Sequence, residues 1–204
     1  MEVIDVTPET DTFAGNAFLA LGDRVTLVDT SGHPEVVDAV REHTDTLDAV
    51  VLTHQHWDHA NAIEEVVEAF APDVYAYADH DCRTHAIDDG DTVEIGDETF
   101  EVVYTPGHAA DHVSFVSETT LFSGDVVVHD DGAFDYGSFG RTDRAGQSRE
   151  RLVESIVTLL DRLPDTVEHM YSGHGDEFHG DVRDVVETAL SRAEKRDPKY
   201  PDEQ

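Results

Sequence analysis

The sequence predicts an α/β domain of mixed sheets covered by helices. Short runs rich in β-branched residues alternate with segments whose apolar residues recur at helical spacing. Two strand pairs sit between the helical stretches, so neither an all-α nor an all-β domain fits as well. The polar residues of chemical interest fall just beyond predicted strands, at 54–59, 108, 125 and 174. Loops at strand ends are where sites on layered α/β folds collect.

The elements follow in order. "NAFLALGD" and "RVTLVDTSG" read as strands joined at the Gly22-Asp23 turn signal. "LDAVVLT" (47–53) is a continuous apolar run, the pattern of a buried strand. It leads straight into "HQHWDH". "AIEEVVEAF" follows as a helix, with Ile63, Val66, Val67 and Phe70 on one face. "DVYAYA" is a short strand. "DTVEIGDETFEVVYTPGH" is a hairpin turning at Gly96-Asp97, and "HVSFVSETTLFSGDVVV" is a second hairpin. Residues 148–163 carry Leu152, Ile156, Leu159, Leu160 and Leu163 on one helical stripe. "VEHMYSGHG" is a last strand. A C-terminal helix presents Val182, Val185, Val186, Ala189, Leu190 and Ala193. No linker or internal repeat interrupts the chain, which predicts one domain over 1–204.

Forty-six acidic residues face thirteen basic ones, a formal net charge of −33, and the lysines are Lys195 and Lys199 alone. Such a chain repels itself in dilute buffer. In molar salt the screening length falls to about 3 Å and the repulsion fades, so the composition is that of a protein from a salt-loaded cytoplasm. Without a basic run, nucleic acid is excluded as a partner. A small molecule is expected instead, with the oligomeric state left open. Cys82 is the single cysteine, so no intramolecular disulfide forms. The opening "MEVIDVTPETD" has no basic or apolar leader pattern, and no apolar run reaches membrane-spanning length. The expected location is the cytoplasm, away from membranes.

"LTHQHWDHANA" places His54, His56, Asp58 and His59 in six positions. Imidazole with carboxylate suits zinc, and also iron or manganese. Residues 54 and 56 of an extended segment project the same way and can share an ion. Asp58 and His59 come after the chain turns and can face a second. Two ions need about seven protein groups. Three more candidates follow apolar strands: His108, Asp125 and His174, each directly behind a glycine, Gly107, Gly124 or Gly173. Glycine permits the turn that would aim the next side chain inward. His33, His43, His85, His169 and His179 stand alone in sequence and read as solvated polar residues.

The ordered set "THQHWDH", "TPGH", "SGD" and "SGHG" resembles the metallo-β-lactamase superfamily, over roughly residues 13–176. The resemblance implies a four-layer αββα sandwich with its site at the sheet edges. It implies His54, His56 and His108 on a first metal, Asp58, His59 and His174 on a second, and Asp125 bridging two zinc ions. Asp29 in "LVDTSG" matches an aspartate that stands behind the ligands, or is an ordinary strand-end residue. Asp125 replaces the cysteine of the zinc β-lactamases it would otherwise resemble.

"YGSFGRTDRAG" and "LPDTVEHMYSGHG" resemble glyoxalase II-like hydrolases and persulfide dioxygenases. The chain ends thirty residues after His174, short of the helical region that holds glutathione in glyoxalase II, so a glutathione thioester is not the expected substrate. Arg141 and Arg144 either contact an acidic substrate group or pair with Asp143 or Asp135. Tyr136 and Phe139 either line the pocket or pack on their own loop. His112 either reaches toward the site or is structural. The expected activity is hydrolysis of a small ester or thioester, with a hydroxide shared by the metals as nucleophile and Asp58 the candidate proton acceptor besides being a ligand. Two alternatives stand beside it. One is a mononuclear iron dioxygenase acting on a persulfide through His54, His108 and Asp125. The other is a metal- or partner-binding domain without catalysis.

Overall fold

The computed structural model describes residues 1–10 and 12–195. Asp11 of the opening segment and residues 196–204 of the expected domain lie outside the described residues. The chain divides into two compact units, one covering Met1–Val102 and the other beginning at Val103.

The first unit opens with β1 (Glu2–Asp5), β2 (Phe18–Leu21) and β3 (Thr26–Val28), paired antiparallel in succession. Helix α1 (Val36–Arg41) carries the chain to β4 (Ala49–Val51). A four-residue turn of helix, α2 (Trp57–Ala60), and helix α3 (Ile63–Phe70) lead to β5 (Asp73–Ala76) and β6 (His85–Ala86). From β3 to β6 the pairing is parallel, which requires crossovers such as α1 and α3. The sheet order is β1-β2-β3-β4-β5-β6. Its strands and helices close on one apolar cluster that includes Leu27, Val36, Val40, Val50, Leu52, Ile63, Val66 and Val74. The apolar run at 47–53 thus ends, as expected, on a buried central strand that delivers Thr53 and His54 to its C-terminal end.

A hairpin follows, β7 (Thr92–Ile95) and β8 (Glu98–Tyr104), turning at Gly96, whose φ is +61°. The end of β8 enters the second unit. There β9 (Val113–Val116) and β10 (Thr120–Gly124) pair antiparallel. A small ribbon joins β11 (Val127–Val128) to β12 (Ser138–Phe139). Helix α4 (Arg149–Arg162) leads to β13 (His169–Ser172), which lies parallel to β10. β14 (Phe178–His179) pairs on its outer edge, and α5 (Val182–Lys195) closes the described chain. The sheet order is β14-β13-β10-β9-β8-β7. The helices bury their stripes, Leu152, Ile156 and Leu159 from α4 and Val182, Val185, Val186 and Ala189 from α5, in one cluster with Leu121, Phe139 and Met170.

Helix α4 begins one residue later than the periodicity predicts, because Ser148 is its cap and takes the Arg151 amide at 3.2 Å. It ends at Arg162 because Leu163, ahead of Pro164, is extended. Among the described residues no helix is long and apolar enough to cross a membrane.

Candidate metal centre

Each unit carries a cluster of the expected ligands. In the first, Asp29 organises it. This residue is 2% exposed and adopts a φ of +58°, with its amide bonded to the Val51 carbonyl at 2.9 Å. Aspartate tolerates that left-handed conformation better than most residues. One carboxylate oxygen accepts the Thr53 amide at 2.7 Å; the other accepts the Thr53 hydroxyl at 2.7 Å and faces His59 Nδ1 at 3.0 Å. Since the Thr53 hydroxyl gives its proton to Asp29, its oxygen is the acceptor for His54 Nδ1, 3.0 Å away. Both imidazoles are thereby protonated at Nδ1, which leaves each Nε2 with a lone pair. Asp29, His54 and His59 bring their ligand atoms within 4.8 Å of one another, all buried.

His54 Nε2 faces His56 Nδ1 at 3.1 Å. The edge of a tetrahedron of zinc ligands is about 3.3 Å, from metal–nitrogen bonds of about 2.0–2.1 Å. The two nitrogens therefore fit one ion. His56 is extended (φ −64°, ψ 148°) and precedes α2, so the expected alternation on one face holds. Asp58 and His59 lie in α2, and His59 Nε2 stands 3.9 Å from Asp58 Oδ2, wider than a tetrahedral edge. Trp57, between the ligands, is 54% exposed.

The second unit holds the rest. Asp125 Oδ2 lies 3.2 Å from His108 Nε2 and 3.3 Å from His174 Nε2, both close to a tetrahedral edge. His108 Nδ1 donates to the Arg141 carbonyl at 3.0 Å, which again leaves Nε2 as the ligand atom. Asp125 is held through its backbone. Its amide donates to His112 Nε2 at 2.9 Å; His112 Nδ1 then donates to Thr105 Oγ1 at 2.8 Å, and Thr105 to Ser114 Oγ at 3.1 Å. Ser114 completes the run by donating to the Ser123 carbonyl at 3.1 Å. His112, Thr105 and Ser114 are fully buried, so His112 is a structural histidine that anchors the Asp125 backbone.

Of the three glycines ahead of these ligands, Gly107 (φ +138°) and Gly124 (φ +53°) take backbone conformations open chiefly to glycine. Gly173 is a correction to the expectation, for its φ is not positive. Its amide bonds the Gly124 carbonyl at 2.9 Å and simply continues the β10–β13 pairing.

Arg141 places its guanidinium on Asp143 through two hydrogen bonds, 2.9 and 2.7 Å, and this pairing holds the Asp143 carboxyl below its usual range. Arg144 is exposed. The Tyr136 hydroxyl donates to Asp184 Oδ2 at 2.7 Å. Burial first, then that bond and the charges of Asp184 and Asp181, push its pKa up to about 12. Phe139 is fully buried in the core, beneath the Arg149 guanidinium. Burial also pushes up the Cys82 thiol, helped by Glu64 and Asp81, so it is a poor nucleophile.

Sequence reasoning did not assign Thr53, Gly15, Gly140 or the Arg141 carbonyl. A Cβ on Gly15 would stand 2.7 Å from the His59 ring, and one on Gly140 would stand 2.1 Å from the Asp125 carbonyl. The available signals were Thr53 directly ahead of His54 and the Gly140-Arg141 pair, whose backbone rather than side chain meets the ligands. His33 is not simply solvated: Thr12 Oγ1 and the Phe13 carbonyl lie 3.1 and 3.2 Å from its Nε2.

Residues 10–86 match the metallo-β-lactamase superfamily. A hydroxyacylglutathione hydrolase of Aliivibrio fischeri is 37% identical over 105 residues, 50% of this chain and 41% of that protein. One from Vibrio cholerae is 33% identical over 152 residues, 72% of this chain and 56% of that protein. The chain thus spans about half the length of these curated relatives. The crystal structure of ETHE1 from Myxococcus xanthus superposes with a TM-score of 0.72 at 23% identity, covering 95% of this chain and 91% of that one. The fold is the metallo-β-lactamase fold, α/β with mixed sheets, as the alternation of strands and helices predicts. The matched segment 10–86 is thus similar to the metallo-β-lactamase superfamily, and the chain as a whole shares its fold.

Proposed function

We propose that the chain is a binuclear metal-dependent hydrolase of small esters or thioesters. The observation that supports this most is Asp125, one carboxylate oxygen of which stands at ligand-edge distance from both His108 and His174. In this reading His54, His56 and His108 hold one ion, Asp58, His59 and His174 hold the other, and Asp125 bridges. Bound there, two zinc ions would lower the pKa of a water to about 7 and draw charge from a substrate carbonyl. The protein's own part is orientation and proton handling. Asp29, Thr53 and the Arg141 carbonyl keep protons on the Nδ1 atoms of His59, His54 and His108, so the lone pairs of these rings are on Nε2. Asp58, 8% exposed, is the candidate proton acceptor as well as a ligand. Exposed Arg144 would draw in an acidic substrate group, Arg141 would do so by exchanging Asp143 for it, and Tyr136 would contact the substrate. The hydroxyacylglutathione hydrolase relatives support a thioester as the bond cleaved. The partner is a small molecule in the cytoplasm, not nucleic acid or a membrane, and the whole of 1–204 serves this one site.

Elemental analysis of protein purified without chelator, with turnover of a small hydroxyacyl thioester, tests the proposal. Two zinc ions per chain and turnover are expected. Manganese or iron in both positions with the same turnover would change only the metal. One iron per chain with oxygen uptake on a persulfide would replace hydrolysis by oxygen chemistry through His54, His108 and Asp125. Metal-replete protein inert to both substrates would leave a binding domain. His56→Ala should lose an ion and activity together; losing activity with both ions retained would contradict its role.

A further inference from the structure

We propose that His169 and His179 form a peripheral two-histidine site for a divalent cation of the zinc type. The two residues face each other directly in the antiparallel pairing of β13 with β14. Their Nδ1 atoms are 2.8 Å apart, with ring centroids at 4.9 Å and planes at 75°. Two imidazole nitrogens at that distance share one proton, because one must donate and the other accept. A cation can take the place of that proton. It needs the nitrogens to open by a few tenths of an ångström, to the edge of about 3.3 Å that a tetrahedral zinc ion sets.

A second observation prepares the site. Glu177 Oε1 lies 3.4 Å from the far nitrogen of His179, Nε2. A carboxylate there favours the tautomer protonated at Nε2 and leaves Nδ1 with its lone pair toward His169. A carboxylate behind an imidazole is the usual support of a metal-bound histidine, and it raises the basicity of the ligand nitrogen. His169 and His179 are exposed, so an ion can reach them and water can complete its shell.

The consequence lies in the hairpin. β14 has two residues and stands at the edge of its sheet, and the loop between β13 and β14 carries His174. A cation joining 169 to 179 binds only when the hairpin is paired, so it ties the ends of that loop together and stabilises the folded state by mass action. The site would therefore stabilise the segment that presents His174 without itself taking part in chemistry.

The test uses the full chain as wild type, His169→Gln, His179→Gln and Glu177→Gln. Each is loaded with Zn²⁺, dialysed to constant content, and then equilibrated against rising free Zn²⁺. Wild type should take up one ion per chain more than either histidine variant. Glu177→Gln should bind that ion about 10-fold more weakly. Added Zn²⁺ should raise the thermal midpoint of wild type and leave that of His169→Gln unmoved. Equal uptake by wild type and the histidine variants, or an equal thermal response, overturns the site. The content fixed in the loading step reports on the seven-ligand centre separately, so failure of either idea is seen without the other.

Discussion

Asp29 acts on two histidines at once, His59 by direct contact and His54 through the Thr53 hydroxyl. Asn in its place would turn an amide NH₂ toward one of these donors and release at least one imidazole to the other tautomer. Asp29→Asn should weaken zinc retention about 10- to 100-fold, read by competition with a chelator. An unchanged affinity would show that the ligands orient without it. Tyr136 offers a test by pH. Its pKa is raised from 10.0 to about 12 in the folded state, so the stability it confers is fully present below pH 10 and is lost as pH rises through 12. Denaturation between pH 9 and 12 should show a shallower alkaline loss in Tyr136→Phe than in wild type. At this scale the candidate ligands were legible because metal chemistry demands His and Asp, and their spacing shows. Thr53 was not, because a hydroxyl relaying a hydrogen bond carries no compositional signal. Nor was the Arg141 carbonyl, since every residue has one.

Among the elements, the long ones were readable. The stripes of α3, α4 and α5 and the hairpin of β7 with β8 lie where periodicity and turn residues put them. The strands β6, β11, β12 and β14 were not, because two residues hold no period; only their partners define them. The segment from β12 to α4 shows what such pieces do. Gly140 lets the backbone pass against the Asp125 carbonyl, and the next residue presents its own carbonyl to His108. Gly140→Ala should therefore cost about 1–3 kcal/mol of stability by overpacking and loosen His108. The measurement is a paired thermal midpoint and zinc content. Normal values of both would show that the contact relaxes freely.

For the molecule as a whole, the charge of −33 sets the conditions under which the fold persists. Raising KCl from 0.1 M to above 1 M shortens the screening length from about 10 Å to about 3 Å. The thermal midpoint should rise across that range, by several degrees for each 1–2 kcal/mol of repulsion relieved. A midpoint independent of salt would mean that the carboxylates are spaced widely enough to ignore one another. The clustering of ligands illustrates the limit of a linear reading at this scale. Asp125 and His174 are 49 positions apart in sequence, yet they issue from β10 and β13, neighbours in parallel register with Gly124 opposite Ser172.

That register carries a requirement for assembly. Sliding β13 past β10 by one residue would reverse which side of the strand every group projects from, and the carboxylate and imidazole would no longer converge. If Asp125 and His174 hold a metal ion as proposed, a chain that captures it would have paired these strands correctly, whereas a compact but slipped isomer would elute metal-poor from the same refolding mixture. Ion capture at these two groups would thus serve as an inspection step on the finished sheet.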